Sequence, residues 1–307
     1  MNAPRTIAEY LEQLRAALRG ADPALIQDAL YDAEEHLRAE LADQPGRNEA
    51  SMLEHVVSSY GAPDEVAEIY RDQEIRIQRA IRPPPVPPRR SLAGRFFGVA
   101  ADPHTYGALF YMLLVPSTAI FYFVWAVTGI ALSSGLSILV IGLPFMVLFL
   151  GSVRVFSLLE GRIVETMLGV RMPRRPPYPS QRGLPLMKRI GAMFTDGRTW
   201  GTLLYMLLML PLGIIYFTIT VTLLAVSLSF VAAPALKVVS DMFRWETGTC
   251  TGAPEWICAS VQWLASWSGA VTLCVLGIAL LFATLHLVRG LGRLHGHVAK
   301  QLLVRAS

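Results

Sequence analysis

Two tyrosine pairs are the side chains in this chain of 307 residues that most invite a chemical reading. Tyr111 and Tyr122 are eleven apart, about three helical turns, so they share one side of a helix. Tyr205 and Tyr216 repeat that spacing 94 positions later. Buried tyrosines need hydrogen-bond partners, so the four can line a cavity between helices or simply pack. Cys250 and Cys258, eight apart, are candidates for a disulfide if they face an oxidising compartment, with two free thiols as the alternative. Cys274 sits in an apolar run and reads as a small buried side chain. Asp32, Glu35 and His36 share a helix side at a spacing that can hold a metal, but with Glu34 and Glu40 beside them they read as a solvated face. His286, His295 and His297 read as an interfacial cluster, because His295 and His297 diverge on a helix. There is no phosphate-cradling glycine loop, no HExxH and no GxSxG. No catalytic residue, no metal site and no cofactor is expected, and therefore no enzyme.

Composition says what must hold these residues. The chain is 53% hydrophobic, only 16% charged, and has a mean hydropathy of +0.44. Soluble domains carry about 25% charged residues. The net charge of +4 conceals a division: residues 1–80 hold sixteen Asp/Glu against eight Lys/Arg, and the rest holds seven against nineteen. An acidic head thus precedes a basic, apolar body. The basic charge flanks apolar runs, where it fits membrane orientation rather than nucleic-acid binding.

No Asp, Glu, Lys or Arg lies between His104 and Arg154, between Arg198 and Lys237, or between Glu255 and His286. A hydrocarbon layer about 30 Å thick needs roughly 20 helical residues. The expected spans are 106–129, 136–157, 201–226 and 263–288, with Ser133, Ser134 and Gly135 as the first turn. A fifth span, made by splitting 199–236, is the competitor. Four spans place three basic clusters on one side, the cytoplasmic one by the positive-inside rule: Arg89, Arg90 and Arg95; the run from Arg154 to Arg198; and Arg289, Arg293, Lys300 and Arg305. The basic segment from Arg171 to Arg189 can also attract anionic lipid headgroups. Both termini are then cytoplasmic in an inner-membrane protein. Residues 1–21 form a charged amphipathic helix without the apolar core of a secretory signal.

The body repeats itself. Asp102, Thr105, Gly107, Tyr111, Met112, Leu113, Leu114, Ile120, Tyr122 and Phe123 recur 94 positions later as Asp196, Thr199, Gly201, Tyr205, Met206, Leu207, Leu208, Ile214, Tyr216 and Phe217. Arg154, Gly161 and Leu168 recur 135 positions later as Arg289, Gly296 and Leu303. The expectation is two helical hairpins, about 93–172 and 187–305, the second enlarged by 41 residues that include Cys250 and Cys258.

Residues 6–80 read as four amphipathic helices. Ile7, Tyr10, Leu11, Leu14 and Leu18 form one stripe. Asp22-Pro23 starts the next helix, with a stripe of Leu25, Ala29, Leu30, Ala33, Leu37 and Leu41. A third helix covers 49–60, and a fourth begins at Pro63. About eighty residues is near the lower limit for an independent core, so homo-oligomerisation or docking would assist it. Residues 81–92, with their prolines, form a stiff linker. The fold class is all-α: a small cytoplasmic helical domain plus a four-helix transmembrane unit of two repeated hairpins.

Two family resemblances rest on these residues. Ile7-Ala-Glu-Tyr-Leu-Glu-Gln-Leu14, Asp32-Ala-Glu-Glu-His-Leu37 and Tyr60-Gly-Ala-Pro-Asp-Glu-Val66 resemble the HAAS helical signalling domain. Asp196-Gly-Arg-Thr-Trp-Gly-Thr-Leu-Leu-Tyr205, its copy from Asp102 to Tyr111, and Arg289-Gly-Leu-Gly-Arg-Leu294 resemble the sensor domain found before kinase modules in bacterial histidine kinases. The resemblance implies bacterial membrane signalling. It also implies a winged-helix, PadR-like transcriptional regulator as partner of the head; Leu37 and Tyr70 are taken as candidate partner-facing residues, to be tested by replacement with charge. Neither family supplies a catalytic site, and the kinase module is missing, so output would pass through that partner. The rival expectations are a non-signalling anchor or assembly protein and, behind it, a transporter subunit. The absence of charge from the expected span interiors argues against transport.

Overall fold

A computed structural model describes residues 3–43, 48–81, 91–136, 142–174, 191, 196–243 and 254–304. Helices dominate them, and no strand occurs among the described residues. The chain forms two compact units. The first gathers residues 1–87, 121–209 and 295–307; the second gathers 88–120 and 210–294.

The head of the first unit has the four expected helices: α1 Ile7–Ala17, α2 Pro23–Asp43, α3 Glu49–Ser59 and α4 Pro63–Ile81. Local sequence sets their ends. Thr6 caps α1 by accepting from the Glu9 amide, and Asn48 caps α3 by accepting from Ser51. Both satisfy amides that a helix N-terminus leaves open. Asp22 accepts from the Ala24 amide beside Pro23, which occupies the first helical position, where its missing N–H costs nothing. The apolar stripes meet in one core of Ile7, Tyr10, Leu14, Leu18, Ile26, Ala29, Ala33, Leu37, Met52, Leu53, Val56, Val66 and Ala67. Gly61 turns the chain between α3 and α4 with φ +111°, a conformation that side chains disfavour. Its carbonyl accepts from the buried Tyr10 hydroxyl at 2.9 Å. Burial raises the pKa of that hydroxyl, so it stays a donor. The Tyr60-Gly-Ala-Pro motif is thus a turn pinned by α1.

Beyond the head come α5 Leu92–Phe97, a 3-10 turn at Gly98–Ala101, α6 Pro103–Leu136, α7 Gly142–Leu168, α8 Gly197–Val231, α9 Ala233–Met242, α10 Glu255–Leu264 and α11 Trp267–Leu303. Three of them, α6, α8 and α11, are long and apolar enough to cross a membrane. The expected span at 136–157 is not among the three. Residues 137–141 lie outside the described set, so the expected span is described only from Gly142, where α7 continues the uncharged run as far as Val153. The expected turn at Ser133, Ser134 and Gly135 is also corrected: all three are helical, and Ser134 donates its hydroxyl to the Ile130 carbonyl one turn back. Serine there satisfies itself within the helix. Residues 199–231 run as one helix, not two.

Within the first unit, α6 past Phe121 packs on α7. Gly129 lies against the Phe149 ring, where a Cβ has no room, and the Trp125 indole donates to Ser152 at 2.9 Å. Within the second unit, Gly277 of α11 packs against Ser227, Phe230 and Val231 of α8, and Gly213 of α8 against Val115 and Ala119 of α6. Small residues that let backbones approach are the usual means of joining apolar helices. The linker at 82–90, Arg175, Arg182, Lys188, Arg189 and Arg305 lie outside the described residues.

Candidate functional site

Helix α2 buries two faces. One enters the head core through Ile26, Ala29, Ala33 and Leu37. The other carries Ala24, Leu25, Asp28 and Tyr31, all buried although none belongs to that core. Those positions follow the spacing of one helix side. A carboxylate on a buried face needs a charged or hydrogen-bonding partner. Arg171 supplies it. Gly169, at φ +68°, ends α7, and two residues later the Arg171 guanidinium reaches three carboxylates. Its Nη2 donates to Asp28 of α2, its Nε to Glu74 of α4 and its Nη1 to Glu165 of α7, each at 3.1 Å. The fork geometry of arginine suits three simultaneous acceptors. All four side chains are at most 9% exposed. Burial by itself lowers the Arg171 pKa; the charges of Glu74, Asp28 and Glu165 more than offset it and raise the value.

Further polar links seat the head beside this hub. The Arg174 amide donates to Asp28 at 2.7 Å and its guanidinium reaches Glu165 at 3.5 Å. Arg198, at the start of α8, donates to Gln27 at 2.6 Å, and Lys300, near the end of α11, pairs with Asp22. The basic cluster read as an orientation signal is therefore also the seat of the acidic head.

A second buried cluster lies higher on α7. Glu160, 1% exposed, accepts from Tyr122 and from Tyr205, each at 3.0 Å, and Tyr205 lies 3.1 Å from His295 Nε2. Two of the four candidate cavity tyrosines are thus brought together, on a carboxylate that the sequence reading passed over. Tyr111 and Tyr216 are buried in the second unit. The missed residues carried a signal: Glu160 and His295 are 135 apart, the offset that relates Gly161 to Gly296. Equivalent positions of the repeat hold a carboxylate and an imidazole. The tyrosines do not line the small cleft of the first unit, which is bordered by Arg154, Ser157, Asp196, Arg198, Thr199 and Thr202.

The repeated Asp and Arg residues pair reciprocally. Arg289 of the second repeat holds Asp102 of the first at 2.6 Å. Arg154 of the first stands 3.6 Å from Asp196 of the second. Each aspartate also accepts the amide two residues on, from His104 and Arg198. One side chain starts its own helix and binds the other repeat, which explains why Asp recurs at that point.

Other expected positions resolve differently. Leu37 is not partner-facing: it is fully buried in the head core, where the helical stripe places it. Tyr70 is half-buried and donates to Asp32 at 3.2 Å. Glu34 pairs with Arg38, and His36 stacks on Tyr60 with ring centroids 4.4 Å apart. No group able to hold a metal occurs among the described residues. His286 contacts the Phe96 carbonyl at 3.0 Å. Cys258 is disulfide-bonded and Cys274 is a free thiol; Cys250, the expected partner of Cys258, lies outside the described residues.

Comparison with known families agrees with this organisation. The family described as Putative sensor matches residues 111–303, and the family described as HAAS matches residues 9–69. No curated protein and no solved structure matches the chain. The sensor match covers more than half of the sequence, from the first of the paired tyrosines to the end of α11. The chain therefore belongs to the Putative sensor family and carries a HAAS domain ahead of its sensor region.

Proposed function

We propose that this chain is a non-enzymatic membrane signal transducer whose sensor region controls whether the HAAS head is seated or released. The observation that carries the reading is Arg171, which binds the head through Asp28 and Glu74 and the sensor region through Glu165. A change in the packing of α7 moves Glu165 and Arg171 relative to the head. A ligand or lipid condition drives that change only by favouring one packing over the other. The released head exposes the α2 face with Asp28 and Tyr31, and its partner is a winged-helix, PadR-like regulator.

The topology that serves this role puts the head and the end of α11 on the cytoplasmic side. The links of Asp22 to Lys300, Gln27 to Arg198 and Asp28 to Arg171 support it, because they draw the ends of α7, α8 and α11 to the head. It requires the chain to return across the membrane between α6 and the end of α7.

The test is affinity capture from cells with the full chain as bait, comparing the unaltered protein with Arg171→Gln. Recovery of a DNA-binding regulator in unequal amounts by the two baits supports the reading. Equal recovery, or none by either, removes it.

A further inference from the structure

We propose that α9 and α10 lie on the lipid layer where α8 and α11 reach its surface, and that Trp256, Trp263 and Trp267 anchor them there. The exposed side of α11 begins at Trp267 and continues through Val271, Val275 and Ile278. These residues recur at helical spacing on one face of a helix apolar and long enough to cross a membrane. Lipid covers that face. Helix α10 ends three residues before α11 begins and extends the surface. Trp256 and Trp263, seven apart, share one side of α10 and are 73% and 48% exposed. Glu255 and Gln262 take another side.

Helix α9 has the same division. Leu236, Val239, Met242 and Phe243 are exposed on one side, whereas Lys237 and Asp241 pair at 2.6 Å on the other. Only Ala232 separates α9 from α8, and Pro234 lies in its first turn. A helix with an apolar side, a polar side and direct continuity with a span fits the plane of the membrane surface. Tryptophan fits the same depth, since its ring is apolar and its N–H polar. In water these two helices would display Leu236, Val239, Met242, Phe243 and two indoles, beyond what a soluble surface tolerates as isolated residues.

The test uses the full chain reconstituted in vesicles of phosphatidylethanolamine and phosphatidylglycerol, part of it brominated near the top of the acyl chains. Variants retain Trp256 or Trp263 alone, the other five tryptophans being replaced by Phe. Blue-shifted emission, quenched by brominated lipid about two-fold or more beyond its quenching by iodide, is expected for both interfacial positions. Emission quenched chiefly by iodide places the helices in water and overturns the proposal. Blue-shifted emission that neither quencher reaches means that protein, such as a second copy, covers the face, and also overturns it. If the single-tryptophan variants fail to fold, the Trp256→Phe/Trp263→Phe double variant is compared with the unaltered chain. Its lipid-quenchable share of emission must fall; an unchanged share overturns the proposal.

Discussion

The two buried faces of α2 are built on opposite principles. Toward the head core it presents Ile26, Ala29, Ala33 and Leu37, and the neighbouring helices answer with Tyr10, Leu14, Met52 and Leu53. Toward the sensor region it presents Asp28, answered by Arg171. Apolar burial is non-directional and tolerates small shifts. A buried guanidinium between three carboxylates is directional: its net contribution to stability is small when intact, but losing one partner is costly. The head therefore has a non-directional apolar interior and a directional, ionic seat.

Substitutions separate the two. The largest effect is expected from Arg171→Met, which strands Asp28, Glu74 and Glu165. Removing one partner of a buried ion pair costs about 3–5 kcal/mol, enough to unseat the head. Hydrogen exchange should then accelerate over residues 24–31 and 70–76, while α1 and α3 keep their protection. Unchanged exchange at 24–31 would show that the seat does not depend on the ion cluster. Leu37→Ala should act on the other face, at about 2–5 kcal/mol for a buried leucine. Here α1, α2 and α3 should lose protection together; a loss confined to α2 would deny the shared core.

Smaller effects sharpen the contrast further along α7. Tyr205→Phe removes a donor from buried Glu160 and should lower thermal stability by about 1–3 kcal/mol. Combined with Tyr122→Phe, the effect should depart from additivity, because both hydroxyls serve Glu160. Strict additivity in thermal melts would mean the two contacts are independent. The least effect is expected from Asp22→Asn. The Asp22–Lys300 pair is partly open to solvent, with side chains 20% and 25% exposed, and such pairs contribute about 1 kcal/mol or less. A drop in melting temperature as large as that of Arg171→Met would make Lys300 part of the hub.

The head was legible because its helices obey periodicity and capping. Asp22-Pro23 and Pro63 mark helix starts, and the stripes mark the inside. Leu37 is legible as core from its stripe, and the same burial withdraws it from any partner. The seat was not legible, since Asp28 and Glu74 look in sequence like any solvated helix charge; only Arg171, 143 positions from Asp28, makes them interior. Ser133, Ser134 and Gly135 look like a turn in sequence, yet such residues also sit in an apolar helix, where Ser134 bonds to the preceding turn. Glu160 was hidden by a boundary: it falls three residues beyond the expected span. Its pairing with His295 across the repeat would have exposed it.

The order of synthesis gives the Asp22–Lys300 pair a further meaning. Asp22 is made early and Lys300 is made 278 residues later. The head contains its whole core within its first 67 residues, so it can fold while the rest is still on the ribosome. Its seat cannot be completed then, because Arg171, Arg198 and Lys300 follow in turn. A head that folds at that stage is without its complete seat until Lys300 has been made. If release is the signalling state, nascent chains are transiently active, and full quiescence is reached only once α11 has been delivered.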